Sequence, residues 1–245
     1  MIWLTGDTHC GADMRKLESK YYLEQQGVSF AQGDYLLILG DFGFPFLISD
    51  VEEYERSGGT AGKYSRYMQW FSKQPYTVLF VDGNHENHDW WSRQEVTEMY
   101  GGRVQVHPHA PNVVHLMRGE IYTIEGKKFF AFGGAYSIDK QWRIEGTSWW
   151  REEEASLDEI KNALDNLERE GNRVDHILTH TMPMSLIDGM VQNGMRAFPC
   201  RTAEFLDTVL ERVEYGSWYC GHFHVDTDLE EKRLHILYNR ILPLK

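Results

Sequence analysis

Five short clusters in this chain combine residue types that bind divalent cations: Asp7-Thr8-His9, Gly40-Asp41, Gly83-Asn84-His85-Glu86, His180 and Gly221-His222-Phe223-His224. With His85 set aside, they offer two carboxylates, four imidazoles and one carboxamide. Such oxygen and nitrogen donors suit Mn, Fe or Zn, and no thiolate is among them. Seven donors are too many for one tetrahedral ion. A carboxylate shared between two cations would hold them about 3.5–4 Å apart, the arrangement that serves in-line phosphoryl displacement. In Asp7/His9 and His222/His224 the donors are two residues apart, so an extended backbone would turn both toward one side. Gly6, Gly40, Gly83 and Gly221 each precede a donor, where a side chain would crowd the metal or hinder the turn.

Donors this far apart in sequence need a scaffold that gathers strand ends. Ile2 to Thr5, Tyr35 to Leu39, Thr77 to Val81, His176 to Thr179 and Trp218 to Cys220 read as buried strands, and each runs into one of the five clusters. In α/β sheets ligands collect at the carboxyl ends of strands, so the clusters can meet in one cleft. Ser156 and Glu159 form a capping box opening a helix with the apolar stripe Leu157, Ile160, Leu164 and Leu167, which ends near Gly171. Residues 202–213 predict a second helix, and 13–25 and 63–73 weaker ones. Ile121 to Ile124 and Phe129 to Phe132 flank a Glu125-Gly126-Lys127 turn as a hairpin, and 229–241 suggest another. The polar stretch 50–63, with Gly58-Gly59, reads as a mobile loop. No repeat or linker divides the chain, so residues 1–245 read as a single α/β domain of mixed sheets covered by helices.

The ordered set Asp-x-His, Gly-Asp, Gly-Asn-His-Glu, lone His and Gly-His-x-His resembles the calcineurin-like metallophosphoesterase superfamily. The resemblance covers residues 6–224. It implies a four-layer α/β/β/α sandwich, with two mixed β-sheets packed face to face and helices outside, and a dinuclear metal centre. By position, Asp7, His9, Asp41 and His224 look like the ligands of one metal, and Asp41, Asn84, His180 and His222 like those of the other, with Asp41 as the bridge. His85 matches the family's catalytic histidine, which is not a ligand; it and Asn84 are expected on the phosphate side. The implied cofactors are two divalent metal ions, Mn first, with Fe, Zn, Ni or Co as alternatives. The implied reaction is hydrolysis of a phosphate ester by a water acidified between the two cations, with no phosphoenzyme.

One departure matters. The phosphoprotein phosphatase branch extends its second motif with an Asp-Arg pair, where this chain has Phe44-Pro45. An acid to orient His85 and an arginine to hold phosphate are therefore absent from those positions. The glycine-paired run from Gly133 to Arg143 supplies Lys140 and Arg143 as cations; Arg143 is the candidate substrate contact, with a surface salt bridge as its alternative. Asp139 is a candidate for orienting a histidine. Cys10, beside His9, reads as an ordinary structural thiol, and Trp90, Trp91, Trp142, Trp149 and Trp150 as packing residues rather than a base-stacking set. His107, His109, His115, His176 and His235 read as structural, whereas His88 fits either the core or the mouth of the cleft.

Composition sets the remaining bounds. The 245 residues carry a net charge of −12, which disfavours long nucleic acid as a partner. Cys10, Cys200 and Cys220, odd in number and without a CxxC pair, suit a reducing compartment. No stretch is apolar enough to span a membrane, so the cytoplasm is the expected location. Two bound cations would reverse the local sign and admit a phosphate. The balance leans to a phosphomonoesterase acting on a small phosphate ester or a phosphoprotein. A nucleotide or cyclic-nucleotide phosphodiesterase is the alternative, and a non-catalytic scaffold of the same fold a remote third.

Overall fold

The computed structural model describes residues 1–190 and 198–244. Its strands are β1 (Ile2–Thr5), β2 (Tyr35–Leu39), β3 (Thr77–Val81), β4 (Val96–Met99), β5 (Gly102–Val106), β6 (Val113–Leu116), β7 (Glu120–Ile124), β8 (Lys127–Phe132), β9 (Arg173–Thr179), β10 (Glu214–Cys220), β11 (Thr227–Leu229), β12 (Leu234–Ile236) and β13 (Leu242–Pro243). Its helices are α1 (Arg15–Glu18), α2 (Lys20–Gln25), α3 (Ile48–Arg56), α4 (Gly62–Ser72), α5 (His88–Trp91), α6 (Leu157–Arg169), α7 (Met184–Met190) and α8 (Arg201–Arg212).

A seven-stranded sheet has the order β13-β1-β2-β3-β6-β5-β4, and a six-stranded sheet the order β11-β12-β10-β9-β8-β7. Both are mixed. β1, β2, β3 and β6 run parallel at the centre of one, and β8, β9, β10 and β12 at the centre of the other, with antiparallel strands at the edges. The apolar runs suit this role because a central parallel strand is buried on both faces.

Alternation along the strands sorts the core into layers. Leu4, Leu37, Leu39 and Leu79 point inward and meet Phe129, Ala131, Leu178 and Tyr219 of the facing sheet. On the outer face of the first sheet Trp3, Leu36, Ile38 and Phe80 pack with Met14, Leu17, Val51, Met68 and Phe71. Phe130, Ile177 and Trp218 do the same for the second sheet, against Ala163 and Leu167 of α6 and Phe205, Leu206 and Val209 of α8. The result is two mixed sheets face to face with helices outside.

Helix α6 opens with the expected capping box, Ser156 Oγ accepting from the Glu159 amide while the Glu159 carboxylate accepts from the Ser156 amide. Three expectations change. Residues 50–63 are largely not a loop: α3 covers Asp50 to Arg56 because Val51 and Tyr54, one helical turn apart, pack against the first core, and the chain turns at Gly58-Gly59 before α4. Residues 13–25 break at Ser19, whose extended backbone ends α1 and whose hydroxyl caps α2. The second hairpin is shorter than 229–241, pairing β11 with β12 through a turn at Arg233, after which the chain crosses to pair β13 with β1.

Candidate metal centre

Every donor lies at the carboxyl end of a strand. Asp7 follows β1, Asp41 follows β2 and Asn84 follows β3 in one sheet, while His180 follows β9 and His222 follows β10 in the other. Adjacent, parallel strands bring these ends together at the top of the interface between the sheets. The paired donors are not extended, however. His9, Asp41, His222 and His224 have φ of 43°, 46°, 69° and 52°, left-handed conformations that each cost roughly 1–2 kcal/mol. Amide bonds tie these turns in place: His222 N donates to Asp7 Oδ1 at 3.1 Å, His85 N to Asp41 Oδ1 at 2.7 Å, and His9 N to the main-chain Asp41 O at 2.7 Å. The chain coils around its own carboxylates, and the donors converge by turning rather than by pleating.

Two glycines make room for this. Gly40 has φ +94°, and a Cβ there would fall 2.0 Å from His180 Nδ1; at Gly83 it would fall 2.0 Å from Asp41 Oδ1. Both glycines clear space for the donors themselves.

Asp41 stands between two groups. His9 Nε2 lies 3.1 Å from Asp41 Oδ2, and His180 Nε2 lies 3.3 Å from Asp41 Oδ1. On the first side Asp7, His9, Asp41 and His224 each present a donor atom, all within 4.8 Å of one another. On the second, His180 Nε2 is 3.1 Å from Asn84 Oδ1, and the His180 and His222 rings are 4.9 Å apart. His180 Nδ1 is 2.8 Å from Leu39 O and donates to it, which leaves Nε2 facing the carboxylate. Asn84 Nδ2 donates to Ser137 Oγ at 3.0 Å, so the amide oxygen faces His180. Sequence reasoning missed Ser137 in this role, having no motif to mark it.

The donor chemistry fits divalent cations. Asp7 Oδ2 is fully buried with no hydrogen-bond partner; His224 Nε2 lies 3.2 Å away but is not aligned to bond it. A buried carboxylate oxygen left this way is costly unless a cation meets it. The protonation pattern agrees. Burial opposes charge on His9 and His180, but the Asp41 carboxylate outweighs it and lifts both to about 9. Burial likewise works against ionisation of Asp41, yet His180 and His9 hold its carboxyl well below the usual range. His222 goes the other way: burial, with the His180 charge beside it, pushes it down to about 3. The carboxylates thus favour positive charge at His9 and His180, which is what a cation site calls for.

A cavity of about 550 Å³ opens onto Asp41, Asn84, His222 and His224. His85 and Arg143 line it. Arg143 does pair with an acid, Asp139 Oδ2 at 2.9 Å, but its terminal nitrogens also lie 3.1 and 3.3 Å from the two ring nitrogens of His85, and it bonds Ser148 O at 3.2 Å. Asp139 therefore holds Arg143 rather than a histidine. Burial lowers the His85 pKa, and the Arg143 charge adds to that against the pull of Asp41. Phe44 is buried against Phe42, Tyr67 and Phe71, so its position serves the core and cannot serve His85. Glu86 is buried too, accepting from the Phe42 and Gly43 amides and shaping the loop after Asp41.

The remaining candidates separate cleanly. His88 lines a different cavity with Asp82 and Arg118, because α5 turns its ring inward. Burial pushes the Cys10 thiol up to about 11, which suits a structural role. Trp90, Trp91 and Trp150 are buried, but Trp142 is exposed and packs little. Lys140 lies over the Tyr136 ring at 4.3 Å instead of lining the cavity. The five other histidines stay outside the centre, as with His115, which sits 3.0 Å from Gln105. No described helix is long and apolar enough to cross a membrane.

Residues 1–226 match the family model described as calcineurin-like phosphoesterase. The chain is 26% identical over 217 residues to the lariat debranching enzyme of Schizosaccharomyces pombe, a stretch covering 78% of this chain and 42% of that protein. A crystal structure of a Staphylococcus aureus protein assigned as a 5'-nucleotidase is similar at a TM-score of 0.48 and 12% identity, covering 97% of this chain and 48% of that one. The chain thus spans less than half the length of each. With a His/Asp cluster at the strand ends and the family model covering most of its length, the chain belongs to the calcineurin-like phosphoesterases and is a metallophosphoesterase.

Proposed function

We propose that this enzyme is a phosphodiesterase for small diesters carrying an aromatic substituent, of which nucleotide and cyclic-nucleotide diesters are the natural class. The observation that carries this is the lining of the cavity. Arg143 is the one lysine or arginine among its described lining residues, while Tyr136, Ile138, Ile187, Phe198 and Phe223 form an apolar wall. A monoester brings a second negative charge and calls for more cations; a diester brings a second substituent and calls for room beside the phosphate. The similarity to a lariat debranching enzyme supports the same direction. The net charge of −12 favours a small substrate over a long strand.

In this reading Asp7, His9, Asp41 and His224 hold one divalent cation, and Asp41, Asn84, His180 and His222 the other. Bound there, the pair supplies an acidified water and neutralises charge at phosphorus. His85 and Arg143 act together on the substrate: Arg143 binds a phosphate oxygen, and His85, kept neutral by burial and by Arg143, hydrogen-bonds the phosphate or the leaving oxygen. Tyr136 and Phe198, stacked with centroids 5.7 Å apart, seat the aromatic substituent.

The test is the ratio of rates of the Mn-loaded enzyme on bis-p-nitrophenyl phosphate and p-nitrophenyl phosphate. A kcat/KM at least about tenfold higher on the diester is expected, with Arg143→Ala losing about tenfold or more on both substrates. Preference for the monoester would restore the phosphomonoesterase reading.

A further inference from the structure

Four side chains close a ring at the outer edge of the metal centre. Asp13 Oδ2 lies 2.6 Å from His9 Nδ1, and Asp13 Oδ1 accepts the Tyr238 hydroxyl at 2.8 Å. The Tyr238 ring stacks on His224 with centroids 4.8 Å apart and planes 17° from parallel. His224 in turn meets His9 edge to face at 5.0 Å. Within this ring the Nε2 atoms of His9 and His224 face Asp41 and Asp7, at 3.1 and 3.2 Å. Both oxygens of Asp13 are engaged, one by the outer nitrogen of the donor His9 and the other by the Tyr238 hydroxyl.

We propose that Asp13 and Tyr238 are positioning residues that together set His9 and His224 as donors to one divalent cation. The inference rests on the ligand assignment proposed above. A histidine that ligates through Nε2 carries its proton on Nδ1, and a carboxylate on that proton fixes the tautomer and the ring angle and raises the basicity of the ligating nitrogen. Asp13 does this for His9. His224 has a half-exposed ring, so its angle depends on the flat face of Tyr238. The backbone of Tyr238 is itself pinned, because the buried Lys16 ammonium donates to the carbonyls of Tyr238, Asp7 and Gly6. One carboxylate thereby couples two ligands that stand more than two hundred residues apart in the chain.

The experiment is Mn(II) binding to the full, chelator-stripped chain, followed by electron paramagnetic resonance and calorimetry with no substrate present. Asp13→Ala is expected to weaken one of the two Mn(II) ions by about 10–100-fold and leave the other within about twofold. Asp13→Asn, which retains an acceptor for Nδ1–H, recovers part of that loss, and Tyr238→Phe, which keeps the stack and drops the hydroxyl, loses less than Asp13→Ala. His9→Ala is the reference and should lose the same ion. If His9→Ala loses one ion while Asp13→Ala keeps both at wild-type affinity, the clamp is wrong and the ligand assignment stands. If His9→Ala keeps both ions, the ligand assignment falls and the clamp with it. Equal weakening of both ions in Asp13→Asn would show a merely structural residue and overturn the proposal.

Discussion

The donors on either side of Asp41 meet water to different degrees, although Asp7 in the outer group is buried and His222 in the inner group is only partly so. His180 and Asn84 are buried and held by internal partners, the Leu39 carbonyl and the Ser137 hydroxyl. His9 and His224 lie toward the surface, with side chains 17% and 51% exposed, and are held by Asp13 and Tyr238. A site whose ligands are locked before the ion arrives loses little entropy on binding, whereas an exposed imidazole must be ordered each time. In the proposed two-cation reading, the position held by His180 and Asn84 is then the tighter one and the position held by His9 and His224 the one that exchanges.

The largest effect should come from the residue common to both. Asp41→Asn is expected to lose metal from both positions and to lower kcat by at least about 10³-fold, measured by metal analysis and turnover together. Retention of either ion at wild-type affinity would mean that the positions do not share this carboxylate. His85→Ala separates chemistry from metal binding: both ions should remain while kcat falls about 10²–10³-fold. Metal loss in this variant equal to that of Asp41→Asn would assign His85 to the ligand set instead.

Stepwise chelation probes the asymmetry directly. Titration of the Mn-loaded protein with EDTA should release two ions in separate phases, their apparent affinities differing by about tenfold or more. His224→Ala should abolish the weaker phase alone. A single phase would erase the distinction between the buried and exposed groups.

The smallest effect is on stability. Folded His9 and His180 keep protons up to about 9, whereas an unfolded histidine releases its proton near 6.5. Their contribution is therefore full below pH 6.5 and fades as pH rises through about 9. His222, neutral below 6.5 already, does not change across that window. Metal-stripped protein should lose on the order of 5 °C in Tm between pH 6.5 and 9, measured by differential scanning fluorimetry, while Mn-loaded protein stays nearly level. A metal-free Tm that rises over this range would contradict the protonation of His9 and His180.

Much of this scaffold is legible in the sequence because its strands are short, apolar on both faces and stopped by glycine. β1, β2 and β3 coincide with the apolar runs at both ends, and the motif residues follow directly. Helix α3 is harder to see, since only Val51 and Tyr54 betray its buried side among many charges. The centre divides the same way. Donors carry their identity in their spacing, but Asp13, Ser137 and Tyr238 act through contacts made by folding, and nothing in their immediate neighbours marks them. The left-handed turn at His222 is likewise invisible, because its amide answers to the distant carboxylate of Asp7. Arg143 is visible in the sequence as a cation; its seat against His85 is not.

The bond between Lys16 and the Tyr238 carbonyl has a kinetic consequence. It joins segments 222 residues apart, and the Asp7 contact with the His222 amide spans 215. Contacts of that separation, like the pairing of β1 with β13, close very long loops and are slow to form. Ion capture at the exposed position should then be among the last events of refolding, after both sheets have docked. A metal-sensitive signal at that position would report completion of the fold rather than its initiation, and chelator present during refolding should leave early secondary structure untouched.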